Sequence, residues 1–381
     1  MLTPSPLVSS LVSALASATS GAQAARALVD AGVAPDAAAG FAVRREHGWE
    51  ISVGGASPSS AEAFFDLASL TKPMAALAVA RGRIPRETTL GDLLEESRGT
   101  PSEGATLELL LAHRAGLEAN LPLFREAPFD KRAALVASAS ARRDDARGAI
   151  PREGFAPLYS DLGYILAGEA LARRVDESDC GEAVARLVID PLGLQGELGS
   201  ARRLRARDVR FDARVVPTEV VDWRGGEVRG AVHDENAWVL SRDGASGHAG
   251  MFGTVRAVIR LGAAVLDAVS RGEGGLAHGV DLSWLVRERP GGSLRAGFDG
   301  KSEEGSSAGD RAGPRTFGHL GFTGTSLWID PDAGAVVALL TNRVHPTRDN
   351  TKIRAARPLA HDALWRLASS YVEFVAPRPS H

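Results

Sequence analysis

Segments with strand character lie near both ends of this 381-residue sequence, and the region between them is mainly helical. Residues 37–55 contain two runs with β-sheet propensity around Glu46-His47-Gly48, which predicts a hairpin. Thr325–Ile329 and Ala335–Thr341 are two further predicted strands, joined by a turn that contains proline and glycine. The simplest fold that uses both ends is an antiparallel sheet flanked by helices, with a mainly helical region inserted between its two halves.

We therefore predict an α/β-plus-α architecture. The sheet domain takes residues 1–72 and 290–381, and residues 73–289 form the mainly helical region with irregular loops. Hydrophobic periodicity predicts helices in that region and near the chain end: Leu107–Ala112, Asp161–Arg174, Thr254–Ser270 and Pro358–Val372. An active site is expected in the cleft between the two parts.

The charge balance and the cysteine count exclude several classes of protein. Lysine plus arginine number 44 and aspartate plus glutamate 47, a formal net charge of −3, which argues against a nucleic-acid partner. The single cysteine, Cys180, excludes an internal disulfide and any cysteine-based zinc or iron–sulfur site. No run of about 18 apolar residues predicts a membrane span. Leu7–Ala16 is apolar at helical spacing with no basic residue before it, which predicts an amphipathic first helix, no signal peptide and a cytoplasmic protein.

Ser69 and Lys72 stand three positions apart in the segment FFDLASLTKP, so on a helix they share one face. Pro73 cannot donate a hydrogen bond to the carbonyl of Ser69, which predicts a helix that begins near Ser69 or Leu70. The positive end of the helix dipole and burial together predict a lowered pKa for Lys72, and a neutral amine beside a serine hydroxyl makes a nucleophile. Arginine supplies most cations of this chain and cannot serve as such a base. The simpler alternative is a serine that only caps the helix.

Tyr159 and Asp161 lie at the start of the helix predicted to begin at Asp161. A tyrosine on the preceding loop presents its hydroxyl, and as a phenolate held between cations it is predicted to take the proton from Ser69 and later pass it to a leaving group. Asp161 is placed to hold Lys72 by a hydrogen bond. Alternatively, Tyr159 only packs, and Ser160 or Asp161 only caps the helix.

The tripeptide His319-Leu320-Gly321 lies where the strongest pair of predicted strands begins. His319 offers a polar group whose charge changes near neutral pH, and Gly321 lets the backbone approach a substrate closely. The backbone N–H after Gly321, that of Phe322, pairs with that of Ser69 as a candidate oxyanion hole. The predicted substrate-binding residues are therefore Asp161, His319, Gly321 and Phe322, beside the catalytic residues Ser69, Lys72 and Tyr159.

In their order along the chain, these motifs resemble those of the serine β-lactamases and penicillin-recognising hydrolases, most closely the class-C-like branch of esterases, D-alanyl peptidases and related amidases. The similar segments are FDLASLTKP, LELLLAHRAGLEANLPL, YSDLGYILAGEAL, HDENA, GHAGMFGT and GHLGFTGTSLWIDP through NRVHP. The resemblance implies a serine β-lactamase-like fold in which Ser69 is acylated and Lys72 and Tyr159 share general-base and general-acid work. It also implies an oxyanion hole made by the amides of Ser69 and Phe322.

Two residues depart from the pattern of true β-lactamases of this type. Asp161 stands where asparagine is common in them, and His319 stands where they have lysine. A neutral or partly charged residue at position 319 weakens recognition of a substrate carboxylate. These departures favour an esterase or a peptidase over an efficient β-lactamase.

The prediction is a serine hydrolase that cleaves an ester or amide in a small-molecule or peptide-like substrate through an acyl-enzyme on Ser69, with no cofactor and no metal. One alternative is a catalytically inactive relative that keeps the fold as a binding or regulatory module. A metal-dependent hydrolase is another, since His233–Asn236 and His248 include metal-ligand residue types, although no zinc-motif spacing such as His-Glu-x-x-His is present. A hydrogen-bonded polar loop is the simpler interpretation of these residues.

Overall fold

A computed structural model describes residues 6–375, which are built around a six-stranded antiparallel sheet. The strands are β1 Ala37–Arg45, β2 Gly48–Gly55, β3 Phe65–Asp66, β4 Leu198–Ser200, β5 Val220–Val221, β6 Gly226–Glu227, β7 Met251–Gly253, β8 Asp299–Gly300, β9 Phe317–Leu320, β10 Ser326–Asp330 and β11 Ala335–Thr341. The α-helices are α1 Pro6–Ser17, α2 Gly21–Asp30, α3 Pro58–Ala61, α4 Thr71–Arg81, α5 Leu90–Leu93, α6 Leu107–Leu111, α7 Lys131–Ser140, α8 Asp161–Arg174, α9 Cys180–Val184, α10 Ala201–Arg207, α11 Phe211–Arg214, α12 Glu235–Ser241, α13 Val255–Arg271, α14 Ser283–Val286 and α15 Ile353–Val375.

Strands from the two ends of the chain lie side by side in the central sheet, whose order is β2-β1-β11-β10-β9-β8. On one side β1 pairs with β2 in the predicted hairpin. On the other side β1 pairs with β11, from Ala37 opposite Thr341 to Val43 opposite Ala335. The predicted antiparallel sheet, built from both chain ends, is therefore confirmed.

The two faces of the sheet bury separate hydrophobic cores, because successive side chains of a strand point in opposite directions. In β11, Val336, Ala338 and Leu340 face the larger core, which includes residues of α4, α8 and α13. Val337 and Leu339 face the smaller core, against α1, α2 and α15. Each face of β11 is thus covered by helices.

Helix α13 lies directly on the sheet, although the sequence-based boundaries place its residues in the helical region. Gly262 permits the close approach, since a Cβ atom there would lie 2.7 Å from a Val336 side-chain atom and 2.9 Å from Leu327. Asp267 on the same helix forms an ion pair with Arg44 at 2.9 Å. The helix itself spans Val255–Arg271, one residue later than predicted at each end.

The last helix begins about one turn earlier than predicted. It starts at Ile353 and contains Pro358 in its interior. Ile353 and Ala356 are buried against the smaller core and hold this first turn in place, so the missing N–H of Pro358 removes a hydrogen bond without ending the helix. The early start brings Arg357 within hydrogen-bond distance of Gly321, in the turn after β9.

The helical region supports the segment between β3 and α4. Residues Thr71–Ala80 of α4 are all buried, and α8 spans Asp161–Arg174 as predicted. A small sheet in the order β3-β7-β4 leads the chain into α4. None of the helices in residues 6–375 combines the length and the hydropathy needed to cross a bilayer.

Candidate active site

Ser69 lies in a short 3-10 turn, Ala68–Leu70, between β3 and α4. Asp66 Oδ1 accepts the N–H of Ala68 at 2.8 Å and holds this residue at a φ of +47°, in the left-handed region that is unfavourable for side chains other than glycine. Regular α-helix follows from Thr71, close to the predicted start. Ser69 therefore lies at a helix N-terminus, partly exposed.

The Lys72 side chain is completely buried one turn from Ser69. Its Nζ donates to Ser69 Oγ at 2.9 Å, to Asp161 Oδ1 at 2.6 Å and to the carbonyl of His248 at 3.4 Å. Burial acts to lower the pKa of Lys72, but the interactions with Asp161 and Tyr159 outweigh it, and the pKa is raised. The prediction of a neutral amine is therefore wrong for the resting site, in which Lys72 is an ammonium paired with a carboxylate.

Tyr159, in the loop before α8, lies against the Lys72 side chain. Lys72 Nζ lies 4.7 Å from the centre of the Tyr159 ring. Burial raises the pKa of the phenol, and the positive charge of Lys72 offsets this only in part. Tyr159 is therefore a neutral phenol at neutral pH, and the prediction of a phenolate is wrong for the resting site because burial outweighs the charge of Lys72.

His113 fixes the position of Tyr159, although no local sequence pattern identifies it. The two rings stack with 4.7 Å between their centroids. His113 Nδ1 accepts the N–H of Ser160 at 3.0 Å, so the ring proton is on Nε2. Burial and the charge of Lys72 lower the pKa of His113 well below its usual value. His113 is thus neutral, and its ring holds the ring of Tyr159 in place.

His319 lies on β9, buried beside Tyr159 with 5.9 Å between the ring centroids. Its Nδ1 donates to the carbonyl of Leu320 at 2.8 Å. Burial and the charge of Lys72 lower the pKa of His319 to about 3. The prediction that its charge changes near neutral pH is therefore wrong, because burial and a neighbouring cation keep it neutral.

Gly321, predicted to let the backbone approach a substrate closely, is also required by contacts within the protein. A Cβ atom here would clash with Thr325 Oγ1 and lie 2.6 Å from the carbonyl oxygen of Leu67. The Thr325 hydroxyl donates to that same carbonyl at 3.0 Å, which holds the turn after β9 against the segment that carries Ser69. Phe322 follows, half exposed, and its N–H donates to no acceptor within residues 6–375.

The residues considered for a metal site form two histidine–carboxylate pairs, which agrees with the interpretation as a hydrogen-bonded polar loop. His233 Nε2 lies 2.9 Å from Glu219, and His248 Nε2 lies 2.8 Å from Asp234. Burial acts to raise the pKa of Glu219, but hydrogen bonds from His233 and Arg348 outweigh it and bring the pKa to about 2. In the part of the chain that the structure describes, no group of three or more histidine, cysteine, aspartate or glutamate side chains is arranged to hold a metal ion.

A cavity of about 560 Å³ collects the predicted site residues. Its lining includes Ser69, Tyr159, Asp161, His319, Gly321 and Phe322. Lys72 lies beneath Ser69, without exposed surface. The seven residues singled out from the sequence are thus brought to one place.

A family model described as Beta-lactamase matches residues 22–362, which is most of the sequence. The chain belongs to the β-lactamase family. Both the resemblance and the serine β-lactamase-like fold inferred from the sequence are thereby confirmed.

Relatives in the β-lactamase family carry several different activities in their names. A putative D-alanyl-D-alanine carboxypeptidase of Salmonella agona (strain SL483) is 27% identical over 206 residues, 51% of this chain and 47% of the relative, so the chain spans about half the length of the curated relatives it matches. The class C β-lactamase of Rhodobacter sphaeroides has a TM-score of 0.63 at 18% identity, covering 91% of this chain and 100% of that one. A family VIII carboxylesterase has a TM-score of 0.61 at 18% identity, covering 96% of this chain and 99% of that one. These structural matches show a shared β-lactamase-family fold.

Proposed function

We propose that this chain is a serine hydrolase that cleaves an ester or amide through an acyl-enzyme on Ser69. The observation that carries the proposal is the hydrogen bond of 2.9 Å between Ser69 Oγ and the completely buried Nζ of Lys72. A serine that only capped a helix would not need a buried ammonium on its hydroxyl, since burying a charge is costly. The amides of Ser69 and Phe322 are the proposed oxyanion hole.

The proton route follows from the charges in the resting site. Lys72 is protonated and Tyr159 is a phenol, so neither is a free base. As Ser69 Oγ forms its bond to the carbonyl carbon, the π electrons of the carbonyl move onto its oxygen, the Ser69 proton passes to the Tyr159 oxygen, and the phenol proton passes to the leaving-group atom. The tetrahedral oxyanion then re-forms the C=O bond, and the bond between carbon and the leaving group breaks. In deacylation, water attacks the acyl carbon, gives its proton to Tyr159, and Tyr159 returns one to Ser69. Lys72 stabilises the negative charge that develops on the Ser69 and Tyr159 oxygens during these proton transfers.

The proposed substrate is a small ester, amide or peptide-like molecule. The cavity of about 560 Å³ lies in the range of small-molecule sites. A neutral His319 gives no charge to a substrate carboxylate, which favours esterase or peptidase activity over efficient β-lactam hydrolysis. The carboxylesterase name of one relative agrees with the ester class and the carboxypeptidase name of another with the peptide class, although a carboxypeptidase substrate ends in a carboxylate to which His319 supplies no charge.

Covalent labelling tests the proposal. The chain is incubated with a fluorophosphonate and, separately, with a labelled penicillin, and tryptic peptides are analysed by mass spectrometry. We expect a stoichiometric fluorophosphonate adduct on the peptide that contains Ser69, and none after denaturation, because the reactivity depends on the folded site. Absence of an adduct with both probes, together with no turnover of p-nitrophenyl esters, would indicate a binding module instead.

Replacement of Asp161 by asparagine separates two possible roles of Lys72: an ammonium that stabilises negative charge, or a neutral amine that acts as the base. Burial alone lowers the pKa of Lys72, and Asp161 is the strongest opposing influence, so Asp161→Asn is expected to lower that pKa. If the ammonium is required, kcat/KM of the variant falls about tenfold per pH unit above the lowered pKa, while the wild type keeps its activity there. The measurement is kcat/KM for a p-nitrophenyl ester from pH 6 to pH 10.

Glu169→Gln is the matched control for that substitution. Glu169 lies on the same helix, α8, and is paired with Lys131 at 2.7 Å. Its removal is expected to leave the pH profile unchanged. A rate for Asp161→Asn that rises through the lowered pKa of Lys72 would identify the neutral amine as the base and contradict the proposed proton route.

A further inference from the structure

The guanidinium of Arg357 is buried without a carboxylate partner. Its side chain is 8% exposed, and within residues 6–375 its Nε has no hydrogen-bond partner. Its Nη2 donates to the carbonyl of Gly321 at 3.0 Å and to that of Thr325 at 3.3 Å. Burial and repulsion from Arg343 lower the pKa of Arg357 to about 10, so it remains charged at neutral pH. A buried charge held only by neutral carbonyls is costly, which indicates a role that needs the charge.

The carbonyl that Arg357 contacts belongs to the same peptide group as the N–H of Phe322. In a trans peptide the C=O and N–H bonds point in opposite directions. A hydrogen bond to the carbonyl oxygen of Gly321 therefore fixes the direction in which the N–H of Phe322 points. The N–H of Gly324 also donates to this oxygen at 3.1 Å and closes the turn, whereas the N–H of Phe322 has no acceptor in the described part of the chain.

We propose that Arg357 is a positioning residue for the oxyanion hole, which orients and polarises the Gly321–Phe322 peptide so that the Phe322 N–H stabilises the oxyanion formed when Ser69 attacks. This inference rests on the proposed function of Ser69. A cation at the carbonyl end of a peptide draws electrons away from its N–H end and strengthens it as a donor. Because the guanidinium is buried, its field is weakly screened by solvent.

The role of Arg357 in the transition state is tested with Arg357→Gln, which keeps a hydrogen-bond donor and removes the charge. Loss of a direct oxyanion-hole donor costs about 10²–10³ in kcat, and we expect a smaller loss here, roughly tenfold to a hundredfold in kcat with less than about twofold change in KM. The Ki of benzeneboronic acid, whose serine adduct is a tetrahedral anion, is expected to rise by the same factor. Arg357→Lys, which restores the charge, is expected to recover most of both losses.

Arg366→Gln is the matched control for the structural role of such an arginine. Arg366 lies on the same helix and donates to the carbonyls of Leu15 and Ala18, far along the chain from the site residues. For Arg366→Gln we expect a decrease in Tm comparable to that of Arg357→Gln, with kcat and boronate affinity unchanged. If Arg357→Gln fails to fold, Arg357→Lys carries the test: the ratio of its boronate Ki to that of the wild type is expected to be near one while the lysine is charged and to rise with pH as the buried lysine loses its proton, and a ratio that stays near one at every pH would overturn the inference.

Three results would overturn the inference. Activity and boronate affinity of Arg357→Gln within twofold of wild type would show that the charge is not used. Lost activity without a parallel loss of boronate affinity would show a purely structural role. A loss confined to the KM of substrates that carry a carboxylate, compared with p-nitrophenyl acetate, would show direct contact with a substrate anion. If wild-type protein is not labelled on Ser69, the proposed function itself fails, and that outcome is independent of Arg357.

Discussion

Ser69→Ala is expected to abolish the fluorophosphonate adduct and to lower kcat/KM for ester hydrolysis by at least about 10⁴-fold. The reason is that no covalent intermediate can form without the hydroxyl that accepts the hydrogen bond from Lys72. The fold should be retained, because Lys72 keeps its ion pair with Asp161 at 2.6 Å. Steady-state kinetics, intact-protein mass spectrometry and the Tm together measure this result.

Ser59→Ala is the control for the loss of a serine elsewhere. Ser59 is exposed on α3 and should be replaceable with full labelling and full activity. Residual hydrolysis by Ser69→Ala within tenfold of the wild type would contradict the acyl-enzyme mechanism. Labelling of the variant at another residue would place the nucleophile elsewhere.

Tyr159→Phe is expected to lower kcat/KM by about 10²–10⁴-fold for amides and alkyl esters. The substitution removes only the hydroxyl that carries the proton, and it preserves the ring that stacks on His113 at 4.7 Å. For p-nitrophenyl esters the loss should be several-fold smaller, because p-nitrophenolate is a weak base that needs little protonation in order to leave, and the Ser69 proton then passes through Tyr159 to solvent water. Comparison of a series of esters with leaving groups of increasing pKa measures this difference directly.

Tyr164→Phe is the matched control for that experiment. Tyr164 is buried on α8, and its hydroxyl donates to the carbonyl of Leu111 at 2.7 Å. The N–H of Gly297 still donates to that carbonyl, at 3.2 Å, so the substitution removes one hydrogen bond, at a cost of about 0.5–1.5 kcal/mol in the free energy of unfolding. The dependence on the leaving group should stay that of the wild type. An equal loss for all leaving groups in Tyr159→Phe would contradict the transfer of the phenol proton to the leaving group.

Local patterns predicted much of the fold and the membership of the site. Pro73 limited where α4 begins, and the spacing of Ser69 and Lys72 placed both side chains on one helical face. The strand pattern at the two ends predicted the sheet, because its alternation and turns are visible within short windows. The contact between Asp161 and Lys72, at 2.6 Å, was also expected.

The charges and supporting contacts could not be predicted in the same way. The pKa of Lys72 depends on a balance between burial and the ion pair with Asp161, and a sequence does not give the size of either. His113 and Arg357 reach the site through contacts between distant parts of the chain. His113 lies in LELLLAHRAGLEANLPL, one of the segments that resemble the family, but its spacing assigned it no role, and Arg357 is one of many arginines.

The pairing of β1 with β11 has a consequence for how the protein is made. Residues 37–43 leave the ribosome long before residues 335–341, so β1 has no β11 to pair with while most of the chain is synthesised. The turn of Gly321 and the helix that carries Arg357 emerge late as well. Under the proposed function, the site around Ser69 is therefore complete only after α15 has been translated and packed.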